Sequence, residues 1–402
     1  GQPNLDEFIL ILLGLGVKEV SVVSKFPEKV PLDRARAALR AGQRLNLWER
    51  DDLGQVQLAL KEKTGVSVLI FDQECATEMR RNRKRKGIAA KEHVFINEDV
   101  CEGCGDCGQQ SMCLALYPNE TEYGVKTAVV QSSCNQDASC VKGDCPSFIT
   151  AAAAEGGRLR RPTPQLIAES DLAEPEAKDR INSTYSIHII GIGGTGVVTV
   201  AHILGFAANF DEKQVNQLNR TGLAQKGGPV ESPVILGDPD IPLSNTIPAG
   251  RCDLYLAADI IGAVNPLNLA VAGEDRTVAV VSSSNIPTAE MVYNPTQPLA
   301  DESVMKETIN GATRKAVYVD AQGYAEALFG NHIFSNIFLL GVAYQAGRIP
   351  LNSWSIEKAI VLNGQDVDLN LQAFRWGRMA ILDRDRLDAM VQPEVPSSSE
   401  II

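Results

Sequence analysis

The chain of 402 residues is 44 % apolar and 22 % charged, the balance of an ordinary soluble protein of two or three domains. Its net charge of −12 argues against a nucleic-acid-binding surface, which needs clustered Lys and Arg to neutralise phosphates. No stretch approaches the ~20 apolar residues of a membrane span, and no basic–apolar leader opens the chain, so a cytoplasmic location with no membrane partner is expected.

Residues 1–92 carry mixed α/β signals. Phe8–Leu15 is an apolar helical stretch, Val20–Val23 a β-branched run, Leu53–Lys63 has helical periodicity, and Val66–Phe71 reads as a buried strand. So few strands make a poor sheet alone, and the segment looks like the end of a larger α/β domain. The basic run Arg80–Lys86 reads first as a solvated surface or tether. A second reading is a patch that steers an acidic electron carrier.

Residues 93–150 hold seven of the nine cysteines, with eight Asp/Glu against two Lys. Clustered CxxC spacing in a cytosolic chain points to metal before disulfides. The order is Cys101-x2-Cys104-x2-Cys107-x5-Cys113, then Cys134-x5-Cys140-x4-Cys145-Pro146. Three thiolates from one tight loop, completed by a distant Cys followed by Pro, form the usual cradle of a cubane cluster. Cys101, Cys104, Cys107 and Cys145 are therefore expected to hold a 4Fe-4S cluster. Cys113, Cys134 and Cys140 remain, one ligand short of a second. They take an outside ligand such as a carboxylate, hold a three-iron cluster, or are structural. Zinc is the rival metal, although zinc motifs usually pair two CxxC units. Cys75 and Cys252 read as small buried hydrophobes.

Residues 151–184, rich in Ala, Glu, Arg and Pro, read as a linker, and residues 185–390 as a second α/β region. Its expected strands are Ile187–Ile192, Asp253–Ala258, Thr277–Val281 and Lys315–Val319. The expected helices are Val197–Asn209, Phe334–Gly347 and Ser355–Leu362. Such alternation predicts a parallel, doubly wound sheet. Residues 391–402 form a polar tail, and no internal repeat is evident. Gly191-x-Gly193-x-x-Gly196 closes a strand and opens a helix, the setting in which helix-end amides receive phosphate. A dinucleotide site would add an acid ending the next strand; Asp211 and Glu212 fall near that distance, but the polar KQVNQLNRTG after them is no such strand. Gly191, Gly193, Gly194, Thr195 and Gly196, with Lys226 and Gly227 of a second glycine loop, are the candidate cofactor-binding residues. Tight domain packing is the alternative use of these glycines. Asn285 and Asn336 read as caps before cleft residues, and the four scattered histidines have no ligand spacing.

The string CEGCGDCGQQSMCLALYPNETEYGVK and its continuation QSSCNQDASCVKGDCPSF resemble the iron–sulfur segment of the fused indolepyruvate ferredoxin oxidoreductases. These belong to the thiamine-diphosphate-dependent 2-oxoacid:ferredoxin oxidoreductases. HIIGIGGTGVVTVAHILG, GLAQKGGPVESPVIL and DAQGYAEALFGNHIFSNIFLLGVAYQAGRIPL resemble the gamma-type domain of the same family. The resemblance implies a Rossmann-like gamma-type domain with a parallel sheet (185–390). Before it would come a small ferredoxin-like iron–sulfur domain (93–150) and the C-terminal part of an α/β thiamine-binding domain (1–92). It further implies oxidative decarboxylation of an aryl pyruvate, with the acyl group passed to coenzyme A and electrons passed through the cluster to ferredoxin. Thiamine diphosphate and magnesium would sit on a Gly-Asp-Gly segment ahead of Gly1-Gln2-Pro3, so the chain is expected to be a fragment or a subunit. Its partners would be the missing thiamine-binding domains, ferredoxin and the 2-oxoacid, in a homodimeric complete enzyme. No catalytic side chain in this chain is implied. The rivals are a stand-alone iron–sulfur carrier, which has no use for residues 185–390, and an NAD-linked reductase.

Overall fold

The β-branched run Val20, Val22 and Val23 becomes the middle strand of a three-stranded parallel sheet. This is β1 (Glu19–Ser24), between β2 (Arg44–Glu49) and β3 (Ser67–Asp72). All six β1 residues are buried, as a central parallel strand requires. The computed structural model describes residues 3–88, 92–152, 162, 164–222, 228–284, 286, 288, 291–292, 294 and 301–391. The sheet belongs to a first unit ending at Ala89; a second unit runs from Ala90. In the first, helix Leu5–Gly14 starts on a reciprocal cap: the Glu7 amide donates to Asn4 Oδ1 (2.9 Å) and the Asn4 amide to Glu7 Oε2 (3.0 Å). Its Ile9 and Leu13 pack on Val20 and Val22. The polar spacing of β2 (RLNLWE) hid that strand from sequence reading. The basic run lies on helix Ala76–Arg85, where Arg81 and Arg85 pair with Glu78. Cys75 is exposed, and its sulfur accepts the Glu78 amide at 3.3 Å; it is a helix-end acceptor, not a core residue.

The second unit opens with the cysteine segment. β4 (Glu92–Ile96) pairs antiparallel with β7 (Phe148–Ala152), so the segment's two ends close on each other. Between them β5 (Leu116–Thr121) and β6 (Gly124–Val129) form a hairpin. The residues expected to be a linker include a strap that is part of the next domain's core. Ile167 and Leu172 are buried, Gln372 binds both backbone polar groups of Ile167, and the Trp376 Nε1–H donates to the Gln165 carbonyl at 3.1 Å. Arg378, wholly buried, donates to the Ala173 carbonyl (3.0 Å) and to Gln345 Oε1 (2.9 Å).

The large sheet runs β10-β11-β8-β12-β13-β14: β8 is Thr184–Ile192, β9 Gln214–Gln217, β10 Arg220–Thr221, β11 Pro229–Gly237, β12 Leu254–Ala257, β13 Val278–Ser282 and β14 Lys315–Val319. β8, β12, β13 and β14 are parallel, giving the expected α/β fold class. Beyond β8 the sheet continues antiparallel, with β11 pairing β8 and carrying β9 and β10 on its far side. Pro229 and Pro233 weaken the strand signal of β11, which is why it was not anticipated. KQVNQLNRTG does contain a strand, β9, but on this antiparallel margin. Among the described residues no helix is long and apolar enough to cross a membrane.

Helix Ser335–Gln345 has every residue buried, and it crosses helix Val367–Leu382 at two glycines. A Cβ on Gly341 would collide with the Phe374 carbonyl, and one on Gly377 with that of Phe338. Gly341→Ala should therefore destabilise this domain by about 1–3 kcal/mol in urea unfolding, since backbone cannot step aside as a side-chain end can. An unchanged midpoint would show that the helices separate freely.

His188 interrupts the apolar run of β8. Its ring lies 5.8 Å from that of Tyr255, and neither ring nitrogen has a hydrogen-bond partner. Burial, aided by the charge of Arg220, holds its pKa down at about 4. The unfolded chain, with His near 6.5, binds a proton between those values that the folded chain refuses. Stability should therefore be fullest above pH 6.5 and fall as pH drops toward 4, by up to about 3 kcal/mol from this residue. The His188→Leu variant should show a shallower decline over that window in urea titrations, whereas an equal slope would remove His188 from the account.

Candidate functional site

Six of the seven clustered cysteines fall into two trios, Cys101, Cys104 and Cys107 and then Cys113, Cys134 and Cys140, with Cys145 apart from both. Burial raises the pKa of the Cys107 thiol, and the nearby charges of Cys101 and Cys104 add to this. Burial pushes Cys140 up to about 12, with contributions from Cys113, Cys134 and Asp137. Ionising the Cys107 and Cys140 thiols where they are buried is costly without a cation beside them. Gly143, two residues before Cys145, packs against the Asp106 carboxylate at the start of helix Asp106–Ser111, so the chain leading to Cys145 lies on the first loop. The Cys145 thiol contacts Ser147 Oγ at 2.9 Å. None of the nine cysteines is in a disulfide. Cys252 is fully buried with a raised pKa, the small hydrophobe expected.

The donor set fits a cluster. Amides of Gly103 and Thr127 both donate to Cys101 Sγ at 3.4 Å, and the Gln136 amide donates to Cys134 Sγ at 3.3 Å. Such N–H···S bonds stabilise anionic sulfur and set cluster potential. Among the described residues, no three His, Cys, Asp or Glu side chains are grouped to hold a single metal ion.

A repeat invisible in the letters emerges from the backbone. Cys134, Asp137 and Cys140 each follow Cys101, Cys104 and Cys107 by 33 positions. In the first loop Gly103 (φ 68°) and Gly105 (φ 80°) are left-handed; in the second, Gln136 (φ 57°) and Ala138 (φ 56°) are. For non-glycine residues this conformation costs about 1–2 kcal/mol each, so the second loop is held in the shape of the first. A helical turn follows each loop, Asp106–Ser111 and Ser139–Lys142.

The second loop is anchored to the α/β domain. Ser132 Oγ lies 2.8 Å from His332 Nδ1 and hydrogen-bonds Glu326, and Ser133 Oγ reaches the same ring nitrogen at 3.4 Å. The His332 amide donates to Glu326 Oε1 at 3.1 Å. Burial raises the Glu326 pKa, but hydrogen bonds from His332 and Ser132 outweigh it and bring it below the ordinary value. Sequence reading assigned His332 no role, because its partners lie about two hundred positions away.

Four residues on, Asn336 is buried, and its amide donates to the Thr195 carbonyl (3.0 Å) and Oγ1 (3.2 Å). It is a clamp on the glycine loop and not a helix cap. Gly193 donates to the Gly228 carbonyl at 2.7 Å, and Thr195 Oγ1 to the Ile192 carbonyl at 2.7 Å. Gly194 (φ 90°) and Gly196 (φ 101°) make the turn into helix Val197–Phe210, whose first residues have no side-chain cap from Gly196. Gly191 is a packing position: a Cβ there would lie 2.8 Å from Ala258 Cβ and from Val197 Cγ2. Lys226, Gly227 and Asn285 lie outside the described residues. The candidate dinucleotide acid is misplaced. Asp211 follows the far end of a 14-residue helix, about 20 Å from the glycine loop, and its carboxylate accepts from the Asn352 amide at 2.7 Å.

Comparisons with known proteins find relatives for about half of the chain. Indolepyruvate oxidoreductase subunit IorB of Methanothermobacter thermautotrophicus is 29 % identical over 202 residues, 48 % of this chain and 95 % of that subunit. The subunit of the same name from Pyrococcus horikoshii is 30 % identical over 199 residues, again 48 % of this chain and 94 % of its own length. The crystal structure of pyruvate oxidoreductase subunit PORC from Thermotoga maritima aligns with 49 % of this chain at 21 % identity and a TM-score of 0.37. Residues 186–380 match the sequence model of the pyruvate ferredoxin/flavodoxin oxidoreductases, and with these relatives the chain belongs to that family.

Proposed function

We propose that this chain is the electron-relay and gamma-type portion of a 2-oxoacid:ferredoxin oxidoreductase that acts on an aryl pyruvate such as indolepyruvate. The overall reaction converts the 2-oxoacid and coenzyme A to acyl-CoA, carbon dioxide, one proton and two electrons. Thiamine-binding domains supply the decarboxylation, and iron–sulfur clusters, when bound, accept and release electrons one at a time. The observation that carries this reading is the attachment of the cysteine segment to the α/β domain through Ser132, Ser133, Glu326 and His332. A free-standing carrier has no need of such a dock.

In this reading Cys101, Cys104, Cys107 and Cys145 hold the first cluster, and the amides of Gly103 and Thr127 steady the charge on Cys101 sulfur. Cys113, Cys134 and Cys140 serve a second. Gly193, Gly194, Thr195 and Gly196, with Lys226 and Gly227, receive an anionic part of coenzyme A. What supports this is a turn into a 14-residue helix that is held from behind by Asn336. The displacement of Asp211 disfavours the NAD-linked alternative.

Two outcomes are expected of the full chain, reconstituted anaerobically. Cys104→Ala should remove about four irons and the matching visible absorbance, while leaving urea unfolding of the 186–380 domain unchanged; iron retained in that variant would overturn the ligand assignment. Thr195→Val, which deletes the hydroxyl bonded to Ile192 and Asn336, should weaken coenzyme A binding in calorimetry roughly tenfold, about 1.4 kcal/mol. Equal coenzyme A affinity, or tight NADH binding lost with Gly193→Val, would contradict the coenzyme A assignment.

A further inference from the structure

The second trio of thiols lacks a ligand, and the repeat shows where it stands. Asp137 occupies the middle position of the second loop, as Cys104 does in the first. The correspondence rests on several independent features. Left-handed residues fall two and four places after Cys101 and after Cys134. An amide two places on reaches each leading sulfur, at 3.4 and 3.3 Å. The left-handed residues Gly105 and Ala138 stand at the head of the helical turns that carry Cys107 and Cys140. Cys104 and Asp137 are both exposed, whereas the outer cysteines of each loop are buried or half-buried.

We propose that the Asp137 carboxylate is the fourth ligand of a second four-iron cluster, alongside Cys113, Cys134 and Cys140. The proposal rests on the iron–sulfur reading above and deepens it. Ser139 donates to Asp137 Oδ2 at 3.1 Å, and a carboxylate has lone pairs enough for that hydroxyl and an iron together. A carboxylate oxygen is a harder donor than thiolate and grips cluster iron less firmly. The iron it holds is therefore the labile one. Under mild oxidation the 4Fe-4S core of charge 2+ gives up one electron and one ferrous ion, leaving a 3Fe-4S core of charge 1+.

The test uses the full chain reconstituted anaerobically with iron and sulfide, with ferricyanide as oxidant. Wild type should hold about eight irons per chain and, on oxidation, lose about one iron and develop a three-iron electron paramagnetic signal. Asp137→Cys should keep all its irons and suppress that signal at least tenfold; Asp137→Asn should be isolated with about seven. A wild-type chain with about four irons, unchanged in both variants, would overturn the Asp137 assignment while leaving the first cluster standing. A three-iron signal that persists in Asp137→Cys would also overturn it. Failure of wild type to bind any iron would sink the underlying iron–sulfur reading itself.

Discussion

Each of two short loops turns a backbone amide onto the sulfur of its own leading cysteine, and the rest of the cysteine segment is arranged to hold that shape. A backbone that reverses twice in seven residues exposes its N–H groups on the inside of the curve, where anionic sulfur can accept them. The first loop makes both reversals at glycines, Gly103 and Gly105. The second makes them at Gln136 and Ala138, against a steric cost that an unconstrained chain would relieve. Its ends are tied instead: β4 closes on β7, the β5–β6 hairpin joins the halves, and Ser132 and Ser133 fasten the second loop to Glu326 and His332.

That last fastening joins two sites. The turn from His332 to Asn336 touches the cysteine segment with its first residue and the Thr195 loop with its last. A displacement of the turn would be felt at both, so the second thiol trio and the glycine loop share one rigid support. The support is itself deeply founded, because it opens a helix with no exposed residue, packed glycine to backbone against Val367–Leu382.

Much of this was legible in the letters. Apolar runs such as Ile187–Ile192 and Thr277–Val281 have no use except as buried strands, and the structure places strands over both. Cysteine spacing marked the first trio, and Gly191-x-Gly193-x-x-Gly196 marked the turn into a helix. What escaped was whatever depends on distant partners or on backbone shape. The strap around Ile167 has an ordinary polar linker composition and earns its order from Gln372, Trp376 and Arg378, some two hundred residues later. The repeat escaped because its second copy substitutes Gln, Ala and Asp where the first has Gly, Gly and Cys; the torsion angles, the amide-to-sulfur bonds and the helical turns reveal the likeness.

The central claim is that these side chains enclose polynuclear iron. X-ray absorption at the iron edge of the full chain, reconstituted anaerobically, addresses it directly. The account predicts a strong iron–iron scattering shell beside the iron–sulfur shell, the mark of cubane geometry. Iron with sulfur neighbours but no iron neighbours, or a site that takes up zinc alone, would contradict it.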